Sequence, residues 1–191
     1  MPYGIVGIMK YYAVQVATRH EKKFIAQSER CLKAAETAQL LPSSLPRFIF
    51  PERLMKIRRQ GKNITELQPL FAGYVFLELE DAVSLELFQL LRHQQYFFRF
   101  LKSNQEIVPL RDNDLAILQH FISLGVTALP SKVFFDENDK ISVISGPLKG
   151  LEGNIIKVDK RKHRAKVQVE FAESQITFDL SFDMMQKEVT Q

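Results

Sequence analysis

Phe71-Ala72-Gly73-Tyr74-Val75-Phe76-Leu77-Glu78-Leu79 is the stretch on which the fold turns. It is rich in aromatic and β-branched residues, which suit a pleated surface. Its nearly continuous apolar character predicts a strand in the middle of a sheet. Gly73 inside it predicts a bulge or a close backbone approach. Upstream, Lys10 to Val16 alternates weakly and reads as a second strand. Thr18 is a good N-cap, and Glu21 stands three residues on, where it closes a capping box. A helix is predicted from there to Leu41, stopped by Pro42 and Pro46. Its buried face is expected to carry Phe24, Cys31, Ala35 and Ala38, joined by Ile25 and Leu32.

Between that helix and the central strand, Arg47 to Pro51 is strand-like, and Glu52 to Arg59 runs into Gln60-Gly61-Lys62-Asn63. A Gly among polar residues predicts a hairpin tip. The hairpin is basic, with Lys56, Arg58, Arg59 and Lys62. Beyond the central strand, Asp81 opens a predicted helix through Leu91. Tyr96 to Leu101 is another strand, whose alternation sets Phe98 and Phe100 on one face and Phe97 on the other. The order strand, helix, strand, hairpin, strand, helix, strand predicts an α+β domain over 1–111. Its antiparallel sheet carries helices on one face.

Residues 112–130 read as a helical linker. Asp112 or Asn113 can cap a helix running to Leu124, and Gly125 can end it. From 131 to 191 no helical period survives. Short β-rich runs at Val133–Phe135, Ile141–Ile144, Ile155–Val158, Ala165–Val169 and Ile176–Leu180 are separated by turn residues. They predict a small β-barrel, in which closure removes exposed edges.

Composition limits the chemistry. The chain has 191 residues, of which 46% are hydrophobic and 25% charged, enough for cores of a water-soluble kind. The one cysteine, Cys31, cannot form an internal disulfide or a four-cysteine metal site. His20, His93, His120 and His163 lie far apart, so no zinc or other metal is expected. Gly146, Gly150 and Gly153 lack the Lys-Ser/Thr and the strand-to-helix context of a phosphate-binding loop. No catalytic constellation and no cofactor site are expected. No run approaches the roughly 18 apolar residues of a membrane span, and no secretory signal opens the chain. The expectation is a cytoplasmic, monomeric binding protein.

Net charge is +4. The positive residues concentrate at Lys157, Lys160, Arg161, Lys162, His163, Arg164 and Lys166, mostly in one predicted turn. Such a cluster attracts backbone phosphates, and it is equally a solvated surface. Phe71 and Tyr74, at the start of the central strand, read either as core or as an edge that receives a partner.

Two segments carry a family pattern. Tyr11-Tyr12-Ala13-Val14-Gln15-Val16 with His20-Glu21, then Pro69-Leu70-Phe71-Ala72-Gly73-Tyr74-Val75-Phe76, resemble the N-terminal domain of NusG-type transcription elongation factors. Val143 to Ile155, with Gly146-Pro147-Leu148-Lys149-Gly150-Leu151-Glu152-Gly153, is similar to their SH3-like KOW domain, placing such a barrel at 131–191. The family usually has Trp where Tyr12 stands and Pro where Ala72 stands. Those departures weaken the match to the housekeeping factor, and the Lys160-Arg161-Lys162-His163-Arg164 turn with the Gly146 to Gly153 run looks more like the specialised LoaP-type antiterminators.

The resemblance implies that the N-terminal domain binds the clamp helices of bacterial RNA polymerase through Tyr12, Phe71 and Tyr74. It implies a hairpin around Arg58, Arg59 and Lys62 that faces nucleic acid or the polymerase. It implies suppressed pausing and termination. An RNA hairpin of the nascent leader transcript would be read by Lys149, Lys157, Lys160, Arg161, Lys162, His163, Arg164 and Lys166. The alternatives are a general factor coupling polymerase to Rho or a ribosomal protein, and an RfaH-like factor recruited by non-template DNA.

Overall fold

The computed structural model describes residues 9–39 and 45–185. The first helix ends at Thr37, with Ala38 as its C-cap, short of the expected Leu41; Pro42 and both chain ends lie outside the described residues. The chain packs as two units, residues 1–50 with 71–115 and residues 51–70 with 116–191.

The first unit is the expected antiparallel sheet. Its strands are β1 (Lys10–Val16), β2 (Arg47–Ile49), β5 (Tyr74–Leu79) and β6 (Phe97–Phe100), in the order β2-β5-β1-β6. From Tyr74 on, the quoted stretch is central, flanked by β1 and β2, while Phe71 to Gly73 form the turn that leads into it rather than strand. Helices α1 (Glu21–Thr37) and α2 (Leu85–Arg92) cover one face. That face buries Tyr12, Val14, Val16, Val75, Leu77 and Leu79 against Phe24 and Leu32 of α1 and Leu87 and Leu91 of α2. Buried residues of α1 recur as Glu21, Phe24, Ser28, Leu32 and Ala35, the stripe a 3.6-residue period places on one side. Cys31 is only half-buried, one position off that stripe.

Three local expectations are corrected. No capping box forms: His20 is the N-cap without a side-chain bond, and Glu21 is buried and turned to Gly73. Helix α2 starts at Leu85 rather than Asp81, because Ser84 Oγ accepts from the Leu87 N–H at 3.2 Å. A register shift beside Gln15 and Val16 breaks simple alternation in β6. As a result Phe97 and Phe100 both reach the core cluster and touch each other, while Phe98 is 60% exposed.

The second unit opens with hairpin β3 (Glu52–Arg59) and β4 (Lys62–Pro69), joined by Gln60-Gly61. Both turn residues have positive φ, the geometry that matches strand twist in a two-residue hairpin. Helix α3 spans Asp112–Ile122, with its first residues, to Leu115, counted in the first unit, and ends before Gly125, whose N–H bonds the Ile122 carbonyl. Strand β7 (Thr127–Ala128) pairs parallel with the start of β3.

Five strands form the C-terminal sheet: β8 (Ser131–Phe135), β9 (Ile141–Ser145), β10 (Ile155–Asp159), β11 (Arg164–Phe171) and β12 (Ser174–Met184). Their order is β10-β11-β12-β8-β9, a small curled sheet of the expected KOW type. Its core is Val133, Leu148, Ala165, Val167, Val169, Phe171, Phe178, Leu180 and Phe182. Gly146 is required at its corner: a Cβ there would lie 2.7 Å from Ser131 Cα. Ser131 in turn accepts the Leu148 N–H through its buried hydroxyl at 2.9 Å.

Candidate functional site

In the first unit, the candidate partner-binding aromatics do not share one surface. Strand pairing sets Tyr12 opposite Leu77 and Gln15 opposite Tyr74, so alternation sends Tyr12 and Tyr74 to opposite faces of the sheet. Tyr12 is 1% exposed, beneath the helices, where burial raises its phenol above the ordinary value. Phe71 is also buried and meets Phe76 edge-on at 5.3 Å. Tyr74 is half-buried on the face away from the helices.

The neighbouring residue Tyr11 lies on the other side of β1 from Tyr12. It shares the face of Tyr74, and its hydroxyl donates to Glu78 at 2.8 Å. Glu78 also pairs with Arg47 at 2.9 Å. Burial, then the Glu78 bond, raise the Tyr11 phenol above its usual range. Strand parity carried this signal, because every second residue of β1 must face away from α1.

Gly73 holds the start of β5 in place. Its φ is +81°, a conformation that glycine adopts without a Cβ penalty. Its carbonyl accepts from Val16 N–H at 2.8 Å and its own N–H donates to the buried Glu21 carboxylate at 2.8 Å. The tight turn at Phe71-Ala72-Gly73 is therefore tied to both β1 and α1.

The second unit brings the two basic segments together. A groove of about 810 Å³ runs between the β3–β4 hairpin and the turn joining β10 to β11. Lys56, Arg58, Arg161, Lys162, His163 and Arg164 line it, with Asp183 as its carboxylate. Alternation on β3 puts Lys56 and Arg58 on the same side. Asp159 caps the turn by accepting the Lys162 N–H at 2.9 Å. That bond, ahead of the nearby Lys162 and Arg161 charges, holds the Asp159 carboxyl below its ordinary value.

Several cations are already engaged. Lys56 pairs with Asp183 at 2.8 Å. Arg164 donates to the Lys56 carbonyl at 2.7 Å and lies 4.0 Å from Asp179, which also holds Lys166 at 3.1 Å. Lys160 is turned to Asp139 and lies over the Phe135 ring. His163 stacks on Phe182 with ring centres 5.8 Å apart. Lys149 bonds the Ile144 carbonyl and does not line the groove. Arg59 and Lys62 face each other across the hairpin tip, also off the groove lining. Lys157 and Lys166 line a smaller recess of about 140 Å³ that shares Lys162 and Arg164 with the groove.

Sequence reading missed the acidic side of this surface. Asp179, Ser181 and Asp183 recur every second residue on β12, and that period places them on one face. It also missed Arg53, whose guanidinium lies over the Phe178 ring at 5.6 Å. Burial pushes its pKa down to about 10, against the favourable charge of Asp179. No cluster of metal-ligating side chains occurs among the described residues. Nor is any described helix long and apolar enough to cross a membrane.

Three comparisons bear on this arrangement. The family described as "NusG: Transcription termination factor nusG" matches residues 9–119. The "Transcription termination/antitermination protein NusG" of Thermus thermophilus is 25% identical over 185 residues, covering 94% of this chain and 98% of the relative. The protein of the same description from Deinococcus radiodurans is 26% identical over 149 residues, covering 71% of this chain and 77% of its own. A solved structure described as "Domain interaction in Thermotoga maritima NusG" superposes with a TM-score of 0.56 at 23% identity. It covers 91% of this chain and 94% of that one.

Proposed function

The chain belongs to the NusG family of transcription factors, and from that premise we propose that it is a general elongation factor that binds bacterial RNA polymerase. The observation that carries this reading is the breadth of the likeness. The family match spans the first sheet and α3, and the Thermus relative aligns through the C-terminal module as well. Such a protein acts by binding rather than by catalysis. The Thermus and Deinococcus relatives are described as termination/antitermination NusG proteins, which favours the general role over an operon-specific LoaP-type or RfaH-like one.

In this reading the first unit is the polymerase anchor and the clamp helices are its target. The contact surface is the part-exposed region of the sheet face away from α1 and α2, around Tyr11, Gln15 and Tyr74, beside the buried Ala13 and Phe76 of the same face. Tyr74 presents it, Tyr11 flanks it, and Phe71 supports it from beneath. Tyr12 serves from inside the core, as a packing residue. The C-terminal module engages a second partner, for which Rho and a ribosomal protein are the protein candidates. Bridging polymerase to that partner sets the response to pauses and terminators.

A second reading is favoured by the basic groove: the C-terminal partner is nucleic acid, and the factor is guided by an RNA hairpin. Clustered Lys and Arg suit RNA, which is read through shape and phosphate contacts. Non-template DNA is the competing nucleic acid.

The test is binding of the full-length chain to purified bacterial core RNA polymerase, followed by mobility shift. Saturable binding that Tyr74→Ala weakens about tenfold or more is the expected result, the size reached when an aromatic anchor is removed from an interface. Absence of binding by the wild-type chain overturns the reading.

A further inference from the structure

We propose that the β3–β4 hairpin and the 160–164 turn form one composite groove for the phosphodiester backbone of a nucleic acid, so that the C-terminal sheet alone holds half a site. The inference rests on the nucleic-acid reading above and adds the hairpin as its second wall.

The walls are of different origin in sequence and of one charge. Lys56 and Arg58 come from β3, and Arg161, Lys162 and Arg164 come from the turn and the start of β11. More than a hundred residues separate them along the chain, yet Arg164 donates to the Lys56 carbonyl at 2.7 Å and Lys56 reaches Asp183 at 2.8 Å. Met55 is buried beside Ser181, whose hydroxyl lies 3.5 Å from its sulfur. Packing and hydrogen bonds therefore hold the gap between the walls at a set width. A preset gap lowers the ordering cost of binding.

Two guanidinium groups inside this frame remain available. The Arg58 and Arg161 side chains make no hydrogen bond or ion pair among the described residues, and both residues are exposed. Their planar forks match phosphate oxygens two at a time. Lys162 is held loosely, 3.8 Å from Asp159, and its side chain is 56% exposed.

The lining argues for a polyanion over a single small anion. The smaller recess shares Lys162 and Arg164 and extends the positive strip to Lys157 and Lys166. Its carboxylates, Asp159 and Asp179, already face the Lys162 N–H and ammonium and the Lys166 ammonium. A strip of cations suits a backbone with regularly repeating charge, and releasing its counterions drives association.

The experiment titrates the full-length chain into fluorescently labelled RNA stem-loops and DNA duplexes across a salt series, reading anisotropy. Arg58→Ala, Arg161→Ala and a charge control, Lys33→Ala on the exposed side of α1, are compared with the wild type. Thermal melts confirm that each variant folds. Arg58→Ala and Arg161→Ala are each expected to weaken binding roughly threefold to tenfold and to lower the salt slope by about one. Lys33→Ala is expected to bind as the wild type does. The tighter of the RNA and DNA arms identifies the source of the backbone. If Arg161→Ala weakens binding and Arg58→Ala does not, the composite groove is wrong and the nucleic-acid reading stands. If the wild type binds neither probe, both fall. If a polyglutamate chain competes as well as the stem-loop, the selectivity for phosphodiester is wrong.

Discussion

Glu21 shows how far a single side chain departs from a local rule. Thr18 and Glu21 have the spacing of a capping box, yet the carboxylate serves the Gly73 N–H, far away in sequence. Tertiary structure prevails here because the buried Gly73 N–H has no other partner among the described residues, and an unmet buried donor costs more than an open helix end that water can reach. Glu21→Ala should lower stability by about 1–3 kcal/mol, the cost of an orphaned buried N–H. Glu21→Gln keeps an acceptor and should lose clearly less. Urea unfolding of both variants checks this, and equal losses contradict it. Asp159 offers a test in pH. Its carboxyl lies below the ordinary 3.8 because the Lys162 N–H bonds its charged form. The turn stability it adds is therefore complete above that ordinary value and is lost only as pH falls through the depressed one. An NMR titration of the Asp159 carboxyl should give a midpoint below 3.8; a midpoint at or above it contradicts the bond.

At the scale of elements, strands with strong periods were legible and irregular joints were not. The order of sheet and helices, the Gln60-Gly61 hairpin tip and the β-rich C-terminal module all follow from apolar period and turn residues. The bulge that turns Phe97 inward follows from β1 pairing with β6, which no local pattern encodes. The turn between β11 and β12 is another such case. Ala172 and Glu173 both have positive φ, at 55° and 60°, without a glycine to signal it. Left-handed geometry costs such residues roughly 1–2 kcal/mol each. Replacing Ala172-Glu173 by Asn-Gly should therefore stabilise the protein by about 1 kcal/mol. A rise in the urea midpoint checks it, and a fall contradicts it. The groove was half legible for the same reason. Each basic segment stood out in sequence, but their juxtaposition depends on β3 packing beside β12, a contact between elements distant in the chain.

The whole molecule is a two-unit member of the NusG family. One unit carries a sheet face with Tyr11 and Tyr74, and the other carries a groove lined by cations. In the proposed reading, the parity of β1 moves the aromatic contact surface from Tyr12 to Tyr11, with Tyr74 as its central member. Under that same reading, function depends on that face meeting polymerase, and on the meeting changing how transcription proceeds. The most direct test is single-round transcription by purified bacterial RNA polymerase on a template with one pause and one terminator, with the chain at saturating concentration. The account predicts that the wild-type chain changes pause lifetime or terminator read-through, and that Tyr74→Ala, folded as judged by its melt, loses most of that effect. A wild-type chain that leaves both unchanged, or a Tyr74→Ala variant as active as the wild type, would contradict it.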